Sequence, residues 1–239
     1  MASDAPATPT NPHWPLFDLV VRTPTLVLRP PTDDVAVQLA DLAVQGIHDP
    51  ATMPFSIPWT DAEPAVVPRS SMQWWWRQRA ELTSASWSVG FAVHRRIRSA
   101  DADGGERLEL AGVQDVMAKD FVLTRQVLTG SWLGAAHQGQ GVGKEMRAAV
   151  LHLAFVGLGA QAATTEAWAD NLASQGVTGS LPYRRNGEHV ALRRGVADRM
   201  LDFRVDRADW ESVRRDDIVI EGLEPCLGML GLEDDGATG

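Results

Sequence analysis

Apolar positions along the chain recur with a period of either two or three to four, and the switches between the two periods divide it into elements. Leu26, Val27 and Leu28 form a short strand, stopped by Pro30-Pro31. After the acidic start Asp33-Asp34, Val35, Leu39 and Leu42 follow at helical spacing, and Gly46 supplies a C-terminal stop. A second helix is expected from about Ser70 to Leu82, with Met72, Trp75, Trp76, Arg79 and Leu82 along one stripe; that stripe predicts core packing for at least two of Trp74, Trp75 and Trp76. Between the helices, the proline-interrupted apolar run from His48 to Glu63 reads as an ordered loop.

The second half continues the alternation. Trp87 to His94 has period two, breaks at Ala102-Asp103-Gly104-Gly105 and resumes over Leu108 to Met117, which predicts a hairpin. A strand from about Arg125 to Leu133 leads through a glycine-rich turn into a helix from about Gly141 to Leu158, whose buried face is Val142, Met146, Ala149, Val150 and Leu153. Another strand covers Gln161 to Ala169, and a short helix follows with Asp170 or Asn171 as its cap. His189 to Gly195 and Met200 to Val205 form a last hairpin, closed by Trp210, and Ile218 to Leu232 reads as an added edge segment.

The turn between strand and helix carries the chemistry. Glycines opening a helix leave backbone N–H groups unpaired at the positive end of the helix dipole, a site for an anion, most simply a phosphate. Spacing narrows the guest. Counting back from Gly143-Lys144, a Walker A loop would need glycine at Gln138 and a hydroxyl at Glu145, so it fails twice. Gly139, Gly141 and Gly143 give G-x-G-x-G, and Lys144 stands where a dinucleotide fingerprint needs its third glycine. The pattern that fits is Q-x-x-G-x-G, on Gln138, Gly141 and Gly143.

That pattern, following Ser131-Trp132-Leu133-Gly134, resembles the acyl-CoA pyrophosphate loop of the GNAT superfamily of N-acetyltransferases, in particular its RimJ/RimL-like branch. Two further phrases agree: Leu26-Val27-Leu28-Arg29-Pro30 is similar to the branch's opening L-x-L-R-P, and Asn171, Ser174 and Val177 to its second signature, N-x-x-S-x-x-V. The resemblance covers about Thr25 to Trp210, departing at Pro182, where the signature usually has glycine. It implies an α/β (α+β) GNAT fold: a central twisted mixed sheet, mostly antiparallel, of about seven strands flanked by helices. The Ala-rich, Arg-over-Lys composition also looks similar to actinobacterial members, some of which use succinyl-CoA.

The resemblance further implies residue roles. The backbone of Gln138, Gly139, Gln140, Gly141, Val142, Gly143 and Lys144 would cradle the pyrophosphate. A bulged strand end at Trp132, Leu133 and Gly134 would offer N–H groups to the thioester carbonyl. Ser174 would protonate the departing thiolate, and Asn171 would contact the pantetheine arm. No acid stands on the strand where many relatives carry their base; Glu166, Asp115 and Asp120 are the candidate substitutes, each with a bland alternative as a solvated carboxylate.

Composition sets the outer limits. At 239 residues, 44% of them hydrophobic, the chain can bury one substantial core, and no composition break marks a linker. The small, polar, Pro/Thr-rich residues 1–14 are expected to form a disordered lead-in, and 15–239 a single domain with an edge extension from about 211. A net charge of -9 speaks against nucleic acid and suits a cationic amine acceptor. One cysteine, Cys226, excludes an intrachain disulfide, and no run is long enough to span a membrane, so the expected location is cytoplasmic. The six histidines show no metal-ligand spacing, and no metal is expected.

The sequence thus points to an N-acyltransferase that passes an acetyl or succinyl group from acetyl-CoA or succinyl-CoA directly to an amine, of a protein N-terminus or a small molecule. An α-amine is favoured because its pKa of about 7.7 to 8.0 leaves part of it neutral at pH 7. The alternative is a non-catalytic acyl-CoA sensor or interaction module on the same fold, and a homo-oligomer is open, with the tryptophans lining either the acceptor site or a subunit contact.

Overall fold

A computed structural model describes residues 10–98 and 106–232. Nine strands form one sheet: β1 (Val20–Arg22), β2 (Leu26–Arg29), β3 (Ser86–Arg98), β4 (Glu106–Lys119), β5 (Gln126–Leu133), β6 (Ala162–Trp168), β7 (Arg184–Arg193), β8 (Val196–Asp206) and β9 (Val219–Glu221). Their order is β7-β8-β6-β5-β4-β3-β2-β1-β9, and every neighbouring pair is antiparallel except β5 and β6. The fold is the mixed α/β GNAT sheet with two strands more than expected. Both extra strands, β1 and β9, are three residues long, too short to show alternation, and they pair with each other at one edge.

The helices cover both faces. On one side α1 (Asp33–Gln45) and α2 (Val67–Ala80) pack Ala36, Leu39 and Trp75 on Ala92 and Val113. On the other, α4 (Val142–His152) sets Val142, Met146, Ala149 and Val150 against Trp87, Val89, Phe91, Val93 and Val127. Three short helices complete the chain: α3 (Phe121–Thr124), α5 (Leu172–Thr178) and α6 (Arg207–Glu211). The hairpin turn expected at Ala102–Gly105 lies outside the described residues.

Two expectations change. Of the three consecutive tryptophans only Trp75 is buried, while Trp74 and Trp76 are 39% and 49% exposed. Successive helical residues are about 100° apart, so three of them span more than the face a helix turns to a sheet. Residues 10–14 also depart from the expected lead-in: Thr10 donates to Asp18 through its N–H and hydroxyl, each at 2.6 Å, and Trp14 packs against the core.

Candidate active site

At the C-terminal end of β5 a 3-10 turn, Ala135–His137, brings the chain to Gln138. The Gln138 side chain fastens the loop: Nε2 donates to Ile47 O at 2.5 Å and to Leu133 O at 2.9 Å, tying the exit of α1 to the end of β5. Gly139 and Gly141 then take left-handed φ values of 70° and 84°, which favour glycine. Lys144 and Glu145 are the first N–H groups to bond back, both to Gly141 O. Among the described residues, none of the N–H groups of Gly139, Gln140, Gly141, Val142 and Gly143 has a protein acceptor. Five N–H groups are therefore left at the positive end of α4, with the exposed Lys144 beside them. The one acid of the first turn, Glu145, is held by the hydroxyls of Thr23 and Thr25, at 2.5 and 2.7 Å.

The cradle opens onto a split in the sheet. β5 and β6 are in parallel register only over Gln126–Leu128 and Ala162–Thr164; beyond these positions each strand keeps its other neighbour but not its partner. Hydroxyls close the fork, Thr165 Oγ1 donating to Thr129 O at 3.0 Å and Thr129 Oγ1 to Thr164 O at 3.2 Å. The backbone of Thr129 to Leu133 thus borders a wedge that begins at the glycine loop.

The expected strand bulge lies elsewhere. Between β3 and β4 the register passes from Val93 opposite Gly112 to His94 opposite Leu110, which leaves Ala111 of β4 as the extra residue. The Gly134 N–H is taken up by that bulge, donating to Ala111 O at 2.9 Å, so it is not available to a carbonyl. Trp132 turns to the α1/α2 side and stands 6.1 Å from Trp59, the end of an aromatic series through Phe55 and His48 in the loop between α1 and α2.

α5 closes the other lip of the wedge. Asn171 is its N-cap, Oδ1 accepting from the Ser174 N–H at 3.1 Å. A cap uses only the oxygen of this amide. The Asn171 Nδ2 and the half-buried Ser174 hydroxyl have no protein partner among the described residues. α5 crosses the first turn of α4 so closely that a Cβ on Gly143 would lie 3.1 Å from Val177 Cγ2. The loop after β5 and α5 after β6 thus flank the fork and meet at Gly143 and Val177.

A family model of the acetyltransferase (GNAT) domain matches residues 25–183. The chain belongs to the GNAT acetyltransferase family. Solved structures share its fold at low identity. RimL, an alpha-N-protein acetyltransferase of ribosomal L7/L12 in complex with coenzyme A, superposes with a TM-score of 0.59 at 17% identity, over 78% of this chain and 97% of its own. A spermidine N-acetyltransferase chimera of Vibrio cholerae SpeG and hSSAT gives 0.57 at 13%, over 78% and 98%. The microcin C7 self-immunity acetyltransferase MccE, in complex with acetyl-CoA and AMP, gives 0.56 at 16%, over 77% and 93%.

In this GNAT chain the three carboxylates left open by the sequence have different settings. Asp120 is exposed, with a left-handed φ of 50°, and enters β5 from the end opposite the loop, roughly 25 Å away at 3.3 Å per residue. Glu166 is exposed on β6 and groups with His189 and Asp202, their ligand-type atoms lying within 4.8 Å of one another. His189 Nδ1 pairs with Asp202 Oδ1 at 3.0 Å, which makes the group a water-facing polar cluster. Asp115 is half-buried on β4, its Oδ1 shut off from solvent without a hydrogen bond, and burial pushes its pKa up to about 7.

One feature of the GNAT site escaped the sequence. Arg147 of α4 is 2% exposed beneath the fork and donates to Thr165 Oγ1 at 3.1 Å and Ser131 Oγ at 3.3 Å, while its Nε has no partner. No carboxylate pairs with it among the described residues. The signal available in sequence was a single arginine between the apolar positions Met146 and Val150, which reads equally well as a surface residue.

Proposed function

We propose that the chain is an acyl-CoA-dependent N-acyltransferase acting on a primary amine. The observation that carries this reading is the run of five unpartnered N–H groups at the start of α4, opening directly into the fork between β5 and β6. The first part fits a pyrophosphate, the second a pantetheine arm laid alongside β5. RimL holds coenzyme A and MccE holds acetyl-CoA. Transferred here, the same ligand would place its thioester by Ser131 to Leu133, with Ser174 within reach of the departing sulfur and Asn171 Nδ2 free for a pantetheine carbonyl. Ser174 would supply the proton that a thiol of pKa about 8.5 needs on leaving.

Arg147 favours one donor over another. A buried cation without a counter-ion is costly, and buried charges are ordinarily paired. Its position at the base of the fork suits an acyl chain ending in a carboxylate, as in succinyl-CoA, better than acetyl-CoA. The acceptor is an α-amine of a protein N-terminus or a small molecule, reached from the face where Trp59 and Trp132 stand.

Thermal melting with saturating CoA, acetyl-CoA, succinyl-CoA, ATP and NAD tests both statements. A ligand at about 100 times its dissociation constant adds about 2.7 kcal/mol to stability. CoA species should stabilise the protein, succinyl-CoA most; a larger shift with ATP or NAD, or none with any CoA, would refute the proposal. Stabilisation without release of thiol in the presence of amines would favour the acyl-CoA sensor instead.

A further inference from the structure

Across the middle of the sheet, Gly90 of β3, Asp115 of β4 and Gly130 of β5 stand in register. One carboxylate thus lies between two residues without side chains, on the face covered by α1 and α2. The two sides differ. A Cβ added at Gly90 would come within 2.7 Å of both Asp115 Oδ1 and the Trp75 ring, so carboxylate and indole already fill that space. A Cβ added at Gly130 would meet only Met117 Cε at 3.7 Å and Asp115 Oδ2 at 3.9 Å. A side-chain carbon would thus fit above Gly130 in ordinary contact, where none fits above Gly90, and Oδ2 borders that position. Gly130 also belongs to the part of β5 that β6 has left, on the same side as Trp132 and the aromatic loop.

We propose that Asp115 is the general base of this enzyme, receiving the proton of the attacking amine at Oδ2 on the side of Gly130. The assignment rests on the acyl-transfer reading above. As the nitrogen lone pair forms the C–N bond to the thioester carbonyl carbon, the N–H proton passes to Asp115 Oδ2, directly or through one water. The tetrahedral intermediate collapses with cleavage of the C–S bond, and the thiolate takes a proton from the Ser174 hydroxyl. Asp115 then releases its proton to solvent, and solvent restores that of Ser174.

The surroundings support the role. Beside Gly90 the Trp75 ring from α2 meets the same point as Asp115 Oδ1, and above Gly130 Met117 of its own strand meets the same point as Oδ2. None of these is titratable, and burial is the one cause of its raised pKa. A base matched to neutral pH accepts a proton more readily than an exposed carboxylate of ordinary pKa.

The test follows thiol release from acetyl-CoA and from succinyl-CoA with concentrated glycinamide as acceptor, over pH 5 to 9. Wild type should show a bend near pH 7 in kcat. Asp115→Asn should lose the bend and at least about 100-fold in kcat, with the KM for acyl-CoA and the CoA-induced melting shift unchanged. Asp115→Gly should regain part of the rate on addition of formate. An Asp115→Asn enzyme with wild-type rate and bend overturns the assignment, as does loss of the bend in Glu166→Gln while Asp115→Asn retains it. Absence of any CoA-induced melting shift refutes the proposed function itself, whereas a shift with active turnover but no bend refutes only the base.

Discussion

Asp115 and Arg147 are two residues whose burial runs against folding. For Asp115 folding raises the pKa from an ordinary value of about 3.9 to about 7, so the folded state favours the protonated carboxyl. Its contribution is therefore most favourable below about pH 4, declines as pH rises to about 7, and is constant above that. Other carboxylates act in the opposite direction: arginine hydrogen bonds hold Asp33, Asp61, Asp170 and Asp217 below the usual range, and protonating them costs stability as pH falls. The informative quantity is the difference between wild type and Asp115→Asn in urea unfolding. It should favour the variant increasingly between pH 4 and 7, by a few kcal/mol at most, and level off above. Arg147→Met should likewise leave the ligand-free melting temperature unchanged or raised, because an unpaired buried charge is replaced by apolar volume. The same variant should bring the succinyl-CoA shift down to that of acetyl-CoA. Ser174→Ala is expected to cut turnover about 100-fold while the CoA-induced melting shift stays, since Ser174 contributes its N–H, not its hydroxyl, to the cap of α5.

At the scale of elements, α4 combines a glycine-rich N-terminus with an irregular C-terminus. Its start depends on backbone conformation, and Gly141, at φ 84°, is the residue to change. Gly141→Ala should destabilise the free protein by about 1 kcal/mol through strain and weaken CoA binding further, both visible in one melting series. Beyond His152 the helix widens into a π turn, Leu153–Gly157, and Arg207 donates to Phe155 O and Ala160 O there. The periodicity placed the helical run Val142–Gly157 within a residue at each end, yet it could not show that α4 stops at His152 and a π turn follows. Apolar spacing reports which side of a helix is buried, and Leu153 is buried in either geometry. The bulge was misplaced for a related reason. Its position at Ala111 depends on how β3 and β4 pair, and neither strand alone contains that information.

At the scale of the whole molecule, the largest buried cluster extends past the segment matched by the GNAT family model. Leu16 and Leu19 near one end and Ile218, Cys226 and Leu230 near the other join the same buried cluster as Phe91 and Phe155. Cys226 is packing here: burial pushes its thiol up to about 12, and Sγ donates to Gly222 O. Leu230→Ala should accordingly cost about 2 to 5 kcal/mol, seen as a lower urea midpoint with unchanged slope, although the residue is far from the site in sequence.

The sequence by itself determined the elements, the glycine-rich helix start and the exclusion of Walker and dinucleotide loops, because each depends on local spacing, and the family resemblance added Asn171 and Ser174. Periods of two and three to four, and glycines at a helix entry, act within a few residues. Tertiary structure alone decided the short edge strands, the place of the bulge, which tryptophan is buried, and the surroundings of Asp115 and Arg147. Those features depend on which strands become neighbours and how far water is excluded between them. A carboxylate between two glycines of other strands, or a guanidinium under a fork, exists only once the sheet has formed.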